Sequence, residues 1–498
     1  MATERKADHY SSLLSLKNLL RSRFNTNSPL LSTLNVLQLL LVLVLCTSTF
    51  AAFSQSIVKA LPGPIHFEKD YFDGKFPNLA YNPFSWTKAA SMIYLDGPVG
   101  SGFSYADNAE SYIGDDLLYA TDVYNFLLKW LMDHPTFLSN ELYIGGDSYS
   151  GLIVPIVVQK IYNDSDYANI YKLLFFFFFA GNSEAGVQRQ LKLQGYILGN
   201  PVTSQHDDKN ARIEYAHRHA LLSDKLYESI KHNCHGEYII IDPNNAPCIR
   251  DLTLVEQCLT NIFYPLILEP SCNYDSNNSS KLKWDRGFID EERPRDFLLL
   301  PAKPQFWCRF YNYYVLSDIW ANDERVREAL HVRKGTKDKW LRCNESMAYT
   351  EVVFSSLDYH KNLSHTPLRA LIYSGDHDML VPYSGTHKWI ESLGLTVDEE
   401  WRPWFVDGQN AGYSMRYVME DVGFRLREQV TQLQSTSLKK VFTCSKGGLL
   451  ITIFDEHEID QQPNLFNNFF GGAGHTAPEY KPKEALTMIE RWLAFYYL

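Results

Sequence analysis

Residues 142–151 read L-Y-I-G-G-D-S-Y-S-G and place Ser148 on a turn between an apolar run and a helix. The helix is predicted from apolar residues at helical spacing: Ile153, Val154, Val157, Val158 and Ile161. A serine on such a strand-to-helix turn has an exposed hydroxyl and a backbone at a helix N-terminus, and small neighbours let the two elements approach closely. The stretch therefore predicts a nucleophilic serine, although it reads G-x-S-x-S-G rather than G-x-S-x-G.

Short apolar strands alternate with amphipathic helices on both sides of this turn. Strands are predicted at 91–95, 142–144, 195–198 and 370–374, and a helix at 117–132. Such alternation predicts an α/β fold, with a mostly parallel sheet flanked by helices. Residues 205–320 are rich in cysteine and aromatic residues and are predicted to form an inserted, disulfide-containing lid. The stretches 163–190 and 420–470 differ in composition from their surroundings and are interpreted as atypical inserts.

Two further loops supply the partners that a serine nucleophile needs. A serine hydroxyl requires a base, and that base requires an acid that orients it. Asp376 and Asp378 follow the strand predicted at 370–374, and His475 lies near the C-terminus in G-G-A-G-H-T-A-P. The order Ser, Asp, His is that of α/β hydrolases. The residues therefore predict an α/β-hydrolase fold with a Ser-His-Asp mechanism.

The composition is that of a large enzyme or receptor. The chain has 498 residues, of which 45% are hydrophobic and 21% charged. These fractions exclude a disordered polymer, a collagen-like chain and a small disulfide scaffold. The net charge of −11 argues against a protein that binds nucleic-acid phosphates. No metal, nucleotide or flavin motif is present, so no cofactor is expected.

Residues 1–55 are interpreted as an N-terminal leader with a signal peptide, and residues 56–498 as one hydrolase domain. The apolar run 36–46 follows Arg21 and Arg23 and precedes small residues at 51–52. Because this run is shorter than the ~20 residues that span a bilayer, a signal peptide is favoured over an uncleaved signal anchor. No stable membrane span is expected. The expected location is the secretory pathway, ending in the vacuole or the extracellular space.

Cysteines and sequons agree with that location. Seven cysteines follow the leader, an odd number that leaves at least one thiol without a partner in the chain. Their spacing contains no C-x-x-C pair, so no zinc site is expected. Five N-x-S/T sequons are candidate glycosylation sites: Asn163, Asn277, Asn278, Asn344 and Asn362.

Six segments give a more specific indication. They are D-G-P-V-G-S-G-F-S-Y (96–105), G-D-S-Y-S-G (146–151), G-Y-I-L-G-N-P (195–201), W-A-N-D-E (320–324), I-Y-S-G-D-H-D (372–378) and G-H-T-A-P-E-Y (474–480). Together they resemble the plant serine carboxypeptidase-like family. The resemblance covers most of residues 56–162, 191–419 and 471–498.

This resemblance implies roles for individual residues. Ser148 is implied as the nucleophile, His475 as the base and Asp378, the second Asp of G-D-x-D, as the orienting acid. The Tyr149 N–H would supply one oxyanion-hole donor, and Asp376 would be a carboxylate that fixes a loop. Family-like spacing also implies two disulfides, Cys234–Cys248 and Cys272–Cys308.

The residue before the nucleophile bears on the reaction. Peptidases of the family usually have Glu there, which helps bind the C-terminal carboxylate of the substrate. This chain has Asp147, the form typical of a branch that transfers acyl groups from a glucose ester to an alcohol or amine. The resemblance therefore favours acyl transfer between small molecules, with Asp147 in substrate binding. A serine-type carboxypeptidase acting on peptide C-termini is the alternative.

One block of the family pattern is missing from the chain. After I-V-K-A-L-P-G (57–63) the family has several tens of residues, including a W-x-N/T-G-G-P-G-C loop, which nothing in residues 1–95 replaces. That loop would supply the second oxyanion-hole N–H and a cysteine partner for Cys343. Loss of one oxyanion donor typically lowers the rate ~10²–10³-fold. A catalytically impaired family member is therefore the second alternative.

Overall fold

The computed structural model describes residues 81–163, 191–269, 309–342, 344, 346–418, 449–454, 464–494 and 496. Its strands are β1 (Ser91–Leu95), β2 (Gly114–Asp115), β3 (Glu141–Asp147), β4 (Lys192–Gly199), β5 (Tyr349–Thr350), β6 (Arg369–Gly375), β7 (Thr396–Val406), β8 (Gln409–Val418), β9 (Leu449–Phe454) and β10 (Asn464–Phe470). Its α-helices are α1 (Asp116–Asp133), α2 (Ser150–Asn163), α3 (Gln205–Arg218), α4 (Asp224–Cys234), α5 (Ala246–Cys258), α6 (Arg309–Asn322), α7 (Glu324–Ala329), α8 (Leu357–Leu363), α9 (Tyr383–Ser392), α10 (Ala477–Tyr480) and α11 (Pro482–Leu493). Short 3₁₀ helices span Trp86–Lys88, Ala109–Tyr112 and Pro135–Phe137.

An eight-stranded sheet organises these elements, in the order β1-β9-β3-β4-β6-β10-β8-β7. The four adjacent strands β3, β4, β6 and β10 are parallel, as expected for strands joined through helices. The strands on either side pair in the antiparallel sense, so the sheet is mixed. A separate two-stranded sheet joins β2 to β5.

Apolar cores cover both faces of the large sheet. On one face, α1 and α2 pack against the strands, and α2 is buried along most of its length. On the other face, α11 buries Trp492 against Tyr143 of β3, within an apolar core that also contains Phe470 of β10. Parallel strands covered on both faces are almost wholly apolar, and all seven residues of β6 are buried. This layering fixes the ends of the central strands, where Ser148 and Asp378 follow.

The part of the predicted lid that the structure describes is helical. Helices α3, α4 and α5 enclose a third apolar core, which reaches Met379 and Tyr383 beside α9. The disulfide Cys234–Cys248 joins α4 to α5, as expected. Cys258 at the end of α5 is a free, exposed thiol. The other expected pair, Cys272–Cys308, lies outside the described residues.

The second atypical insert contributes two strands to the sheet. From residues 420–470, β9 lies between β1 and β3 and is antiparallel to both, while β10 lies between β6 and β8. The sequence did not indicate this, because the pairing partners are distant: those of β9 lie more than 300 residues away, and those of β10 about 50 and 95 residues away. The leader 1–55 and residues 164–190 of the first insert fall outside the described residues.

Within the described ranges, none of the helices combines the length and apolarity that a bilayer crossing requires.

Candidate active site

Ser148 lies on the turn between β3 and α2. Its backbone has a φ of 54°, in the left-handed region that non-glycine residues rarely adopt. Three backbone hydrogen bonds hold the turn: the Ser148 N–H donates to Gly199 O at 2.9 Å, and the Ser148 carbonyl accepts from Val202 N and Gly151 N at 2.9 and 3.0 Å. Gly151 is required for the close approach, since a Cβ there would clash with the Val202 carbonyl oxygen.

A continuous chain of hydrogen bonds connects Ser148, His475 and Asp378. His475 Nε2 lies 2.7 Å from Ser148 Oγ, and His475 Nδ1 lies 2.7 Å from Asp378 Oδ2. Because a carboxylate only accepts, Nδ1 carries the proton and donates to Asp378, which leaves Nε2 to accept from the serine hydroxyl. The three residues whose order suggested a common mechanism are therefore brought together, in the geometry that makes a serine nucleophilic.

Asp378 is fully buried and held from several sides. Its Oδ1 accepts from the backbone N–H groups of Leu380 and Val381 at 2.7 and 3.2 Å. Its Oδ2 is shared between His475 and the side-chain amide of Asn200, which donates at 2.8 Å. These donors stabilise the carboxylate in an interior where an unpaired charge would be costly.

Charges around His475 set its proton affinity. Burial alone disfavours the imidazolium, but the carboxylates of Asp378 and Asp147 outweigh it, and the pKa of His475 is raised above its ordinary value. The Arg212 guanidinium of α3 acts in the opposite direction. Arg212 donates from Nε and Nη2 to the carbonyl of Leu380, two residues after Asp378, at 3.1 and 2.7 Å. A base with a raised pKa loses activity as the pH falls through that value.

The loop of His475 is joined to the loop of Asp378 by Asp376. The Oδ1 of Asp376 accepts from Gly472 N at 2.7 Å, from Ala473 N at 3.2 Å and from the ring Nδ1 of His377 at 2.7 Å. The N–H of His475 also donates to Pro265 O at 2.7 Å. The bonds of Asp376 to Gly472 and Ala473 connect the two loops, the arrangement expected of a loop-fixing carboxylate.

The residues on either side of Ser148 both border the site. Asp147 ends β3 opposite Gly199 in β4, and its charge acts on His475. Tyr149 is half-buried and donates its phenol hydrogen to Asp116 at 2.7 Å. Its backbone N–H immediately follows the nucleophile, the position of an oxyanion-hole donor in this kind of turn.

Sequence reasoning missed Asn200, Arg212 and Asp116. Asn200 lies in G-Y-I-L-G-N-P, where Asn-Pro after a strand indicates a turn but does not reveal the bond to Asp378. Arg212 lies in the predicted lid, and its effect on His475 depends on how α3 packs. Asp116 immediately precedes the predicted helix at 117–132, and nothing local distinguishes it from an ordinary first-turn acid.

Three candidate glycosylation sites lie in the described residues. Asn163 and Asn362 are exposed, at the C-terminal ends of α2 and α8. Asn344 is half-buried, with its side-chain amide donating to Gly100 O at 3.2 Å. Asn277 and Asn278 fall outside the described residues.

Comparison with known proteins places the chain in a family. The sequence profile of the Serine carboxypeptidase family matches residues 46–428. The chain belongs to the serine carboxypeptidase family. The matched residues contain Ser148 and Asp378 and end before β9, β10 and His475.

Individual family members give the same result. Serine carboxypeptidase-like 17 and serine carboxypeptidase-like 16 of Arabidopsis thaliana are each 37% identical to this chain over 432 residues. The alignments cover 87% of this chain and 77% and 78% of those proteins. The family predicted from the six segments is therefore confirmed, and with it an enzyme of hydrolase or acyltransferase type.

The fold agrees with that of a solved family structure. The chain is similar to Kex1(delta)p, a prohormone-processing carboxypeptidase from Saccharomyces cerevisiae, with a TM-score of 0.50 and 15% sequence identity. The match covers 89% of this chain and 80% of that one. The predicted α/β-hydrolase fold is confirmed.

Proposed function

We propose that this chain transfers acyl groups through an acyl-enzyme on Ser148, from a glucose ester to an alcohol or amine. The observation that carries the proposal is the hydrogen-bonded sequence Ser148–His475–Asp378, with both links at 2.7 Å. Such an arrangement serves acyl transfer of any kind. Asp147, in place of the Glu usual in the peptidases, favours transfer over peptide hydrolysis.

The reaction follows from the positions of these side chains. Ser148 Oγ attacks the carbonyl carbon of the ester as its proton moves to His475 Nε2, and Asp378 stabilises the imidazolium. The Tyr149 N–H would donate to the oxyanion of the tetrahedral intermediate. His475 then protonates the departing sugar oxygen. In the second half, His475 removes a proton from the acceptor hydroxyl or amine, which attacks the acyl carbon and releases Ser148.

Two other functions have specific support. A serine-type carboxypeptidase uses the same acyl-enzyme with water as acceptor, and the matched family carries that name. A catalytically impaired member is supported by the absent G-G-P-G block, which leaves Tyr149 as the one proposed oxyanion donor.

One set of assays separates the three. The full chain would be incubated with a synthetic 1-O-acylglucose carrying a benzoyl or hydroxycinnamoyl group, with an alcohol or amine acceptor, and separately with an N-blocked dipeptide. We expect Ser148-dependent ester or amide formation and little release of the C-terminal amino acid, with S148A as the control. Faster amino-acid release than acyl transfer would establish the peptidase. Absence of both, with no labelling of Ser148 by a fluorophosphonate, would establish the impaired form.

We also propose that the protein enters the secretory pathway and ends in the vacuole or outside the cell. The Cys234–Cys248 disulfide supports this location, because such bonds persist in oxidising compartments. Exposed sequons at Asn163 and Asn362 are accessible to glycosylation there. Expression in plant cells tests the proposal, since removal of N-glycans by a glycosidase should increase the electrophoretic mobility of the protein.

A further inference from the structure

Asp116 is a fully buried carboxylate that accepts four hydrogen bonds. Its Oδ1 accepts from the phenols of Tyr149 and Tyr349, both at 2.7 Å. Its Oδ2 accepts from the backbone N–H groups of Val352 and Val353 at 2.7 and 2.8 Å. Asp116 therefore connects the start of α1, the segment after β5 and the residue that follows the nucleophile.

Both phenols act as donors in this cluster. Burial and the neighbouring carboxylate raise the pKa of Tyr149 and of Tyr349 well above the usual value, so each keeps its hydrogen. A buried carboxylate with four donors is strongly held, because hydrogen bonds to an ionised acceptor are about twice as strong as neutral ones. The Tyr149 side chain is thus fixed at its far end.

The turn at Ser148 needs such support. A non-glycine residue in the left-handed region is strained and keeps that conformation only where its surroundings enforce it. Backbone bonds from Gly199 and Val202 restrain the Ser148 side of the turn. The link from Tyr149 to Asp116 restrains the side that carries the proposed oxyanion donor.

We propose that Asp116 is a positioning residue for the reaction, which holds the Tyr149 backbone N–H in place by anchoring the Tyr149 phenol. The inference rests on the proposed function, because the N–H matters only if an oxyanion forms at Ser148. Asp116 acts through Tyr149 and touches no reacting atom. With one oxyanion donor identified, its orientation has more effect on rate than it would in a site with two.

The chain contains a matched control for this role. Y149F and Y349F each remove one phenol hydrogen bond, of the same length, to the same oxygen of Asp116. A purely structural Asp116 would lose similar support in both variants. If Asp116 is a positioning residue, loss of the Tyr149 hydrogen bond would alter the turn at Ser148, and loss of the Tyr349 hydrogen bond would not.

The experiment measures fluorophosphonate labelling of Ser148 in the full chain over a range of reagent concentrations. For Y149F we expect a 10- to 100-fold lower limiting rate with little change in the half-saturating concentration, since a small misplacement of a reacting group can slow reaction ~10²-fold. For Y349F we expect a rate within about threefold of the parent.

Hydrogen exchange of the peptide covering residues 148–152 is measured on the same proteins. We expect faster exchange in Y149F and parent-like exchange in Y349F. Equal effects of Y149F and Y349F on both readouts, or parent-like behaviour of Y149F, would overturn the proposal. If the parent chain is not labelled at all, the acyl-transfer function fails. The exchange pattern then still decides whether Asp116 orders the turn.

Discussion

The two sides of the candidate active site follow strands that differ in how well their buried polar side chains are paired. Ser148 and Asp378 follow β3 and β6, and β6 is buried along its whole length, with its one charged side chain, Arg369, donating to the Trp492 carbonyl at 2.6 Å. The loop of His475 follows β10, which buries Asn467 and Asn468 with no hydrogen-bond partner for either amide among the described residues. Each unpaired buried amide is unfavourable by ~1–3 kcal/mol. The sheet therefore holds the nucleophile and the acid, whereas side-chain bonds from Asp376 hold the histidine.

The largest expected effect comes from Asp378, which accepts a hydrogen bond from His475 across the two sides. D378N places an amide N–H where an oxygen now accepts from His475 Nδ1, so Nδ1 would have to accept and Nε2 would carry the hydrogen. The imidazole would then no longer present an acceptor to Ser148. We expect ~10⁴-fold slower fluorophosphonate labelling with nearly unchanged folding. S148A gives the background level of labelling. Labelling within tenfold of the parent would show that His475 is oriented without Asp378.

Substitutions at paired positions of β6 and β10 test this comparison of the two strands directly. Ile372 and Asn467 are register partners on these strands, and both are fully buried. I372N should lower the free energy of unfolding by about 3 kcal/mol, because it buries an amide and removes apolar contacts. N467V should raise it by about 1 kcal/mol, since it removes an unpaired amide. Denaturant unfolding measures both, and a loss of stability in N467V would mean that this amide is satisfied.

The position of the His475 loop should depend more on Asp376 than on β10. D376A removes the acceptor for Gly472 N and Ala473 N, so we expect a loss of about 2 kcal/mol in stability and ~10-fold slower labelling. D376N keeps one acceptor oxygen and is the matched control, expected near the parent. Equal losses in the two variants would show that the negative charge matters, rather than the bonds to the loop.

The smallest predicted effect is a shift in pH dependence. The positive charge of Arg212 lowers the proton affinity of His475, so R212Q should raise the pKa of His475. Since His475 must be neutral to act as a base, the acidic limb of the labelling profile should move to higher pH. R218Q, on the exposed side of the same helix, should leave the limb unchanged. A shift to lower pH in R212Q would contradict the assignment.

Local sequence patterns predicted the strands that position the candidate active site. The strands predicted at 142–144, 195–198 and 370–374 are the cores of β3, β4 and β6. Periodicity and glycine-containing turns suffice there, because these strands are buried on both faces and each is followed by a turn with its own chemistry.

The remainder depends on contacts that sequence patterns do not encode. Residues 420–470 differ in composition from their surroundings, yet they supply β9 and β10, since pairing between strands that are distant in sequence leaves no local signal. Asn200 and Asp116 are ordinary polar residues until folding brings them to Asp378 and Tyr149. The bonds from Asn200 to Asp378 and from Tyr149 to Asp116 could therefore be found only in the structure.

The position of β9 has a consequence for synthesis of the protein. Ser148 directly follows β3, and the strand β9 that pairs with β3 lies some 300 residues downstream. At about 5–20 residues per second, the ribosome leaves this edge of β3 without that neighbour for tens of seconds. An open strand edge of this kind invites pairing with other chains. Until residues 449–454 emerge, this edge of the strand that precedes Ser148 is open to such pairing.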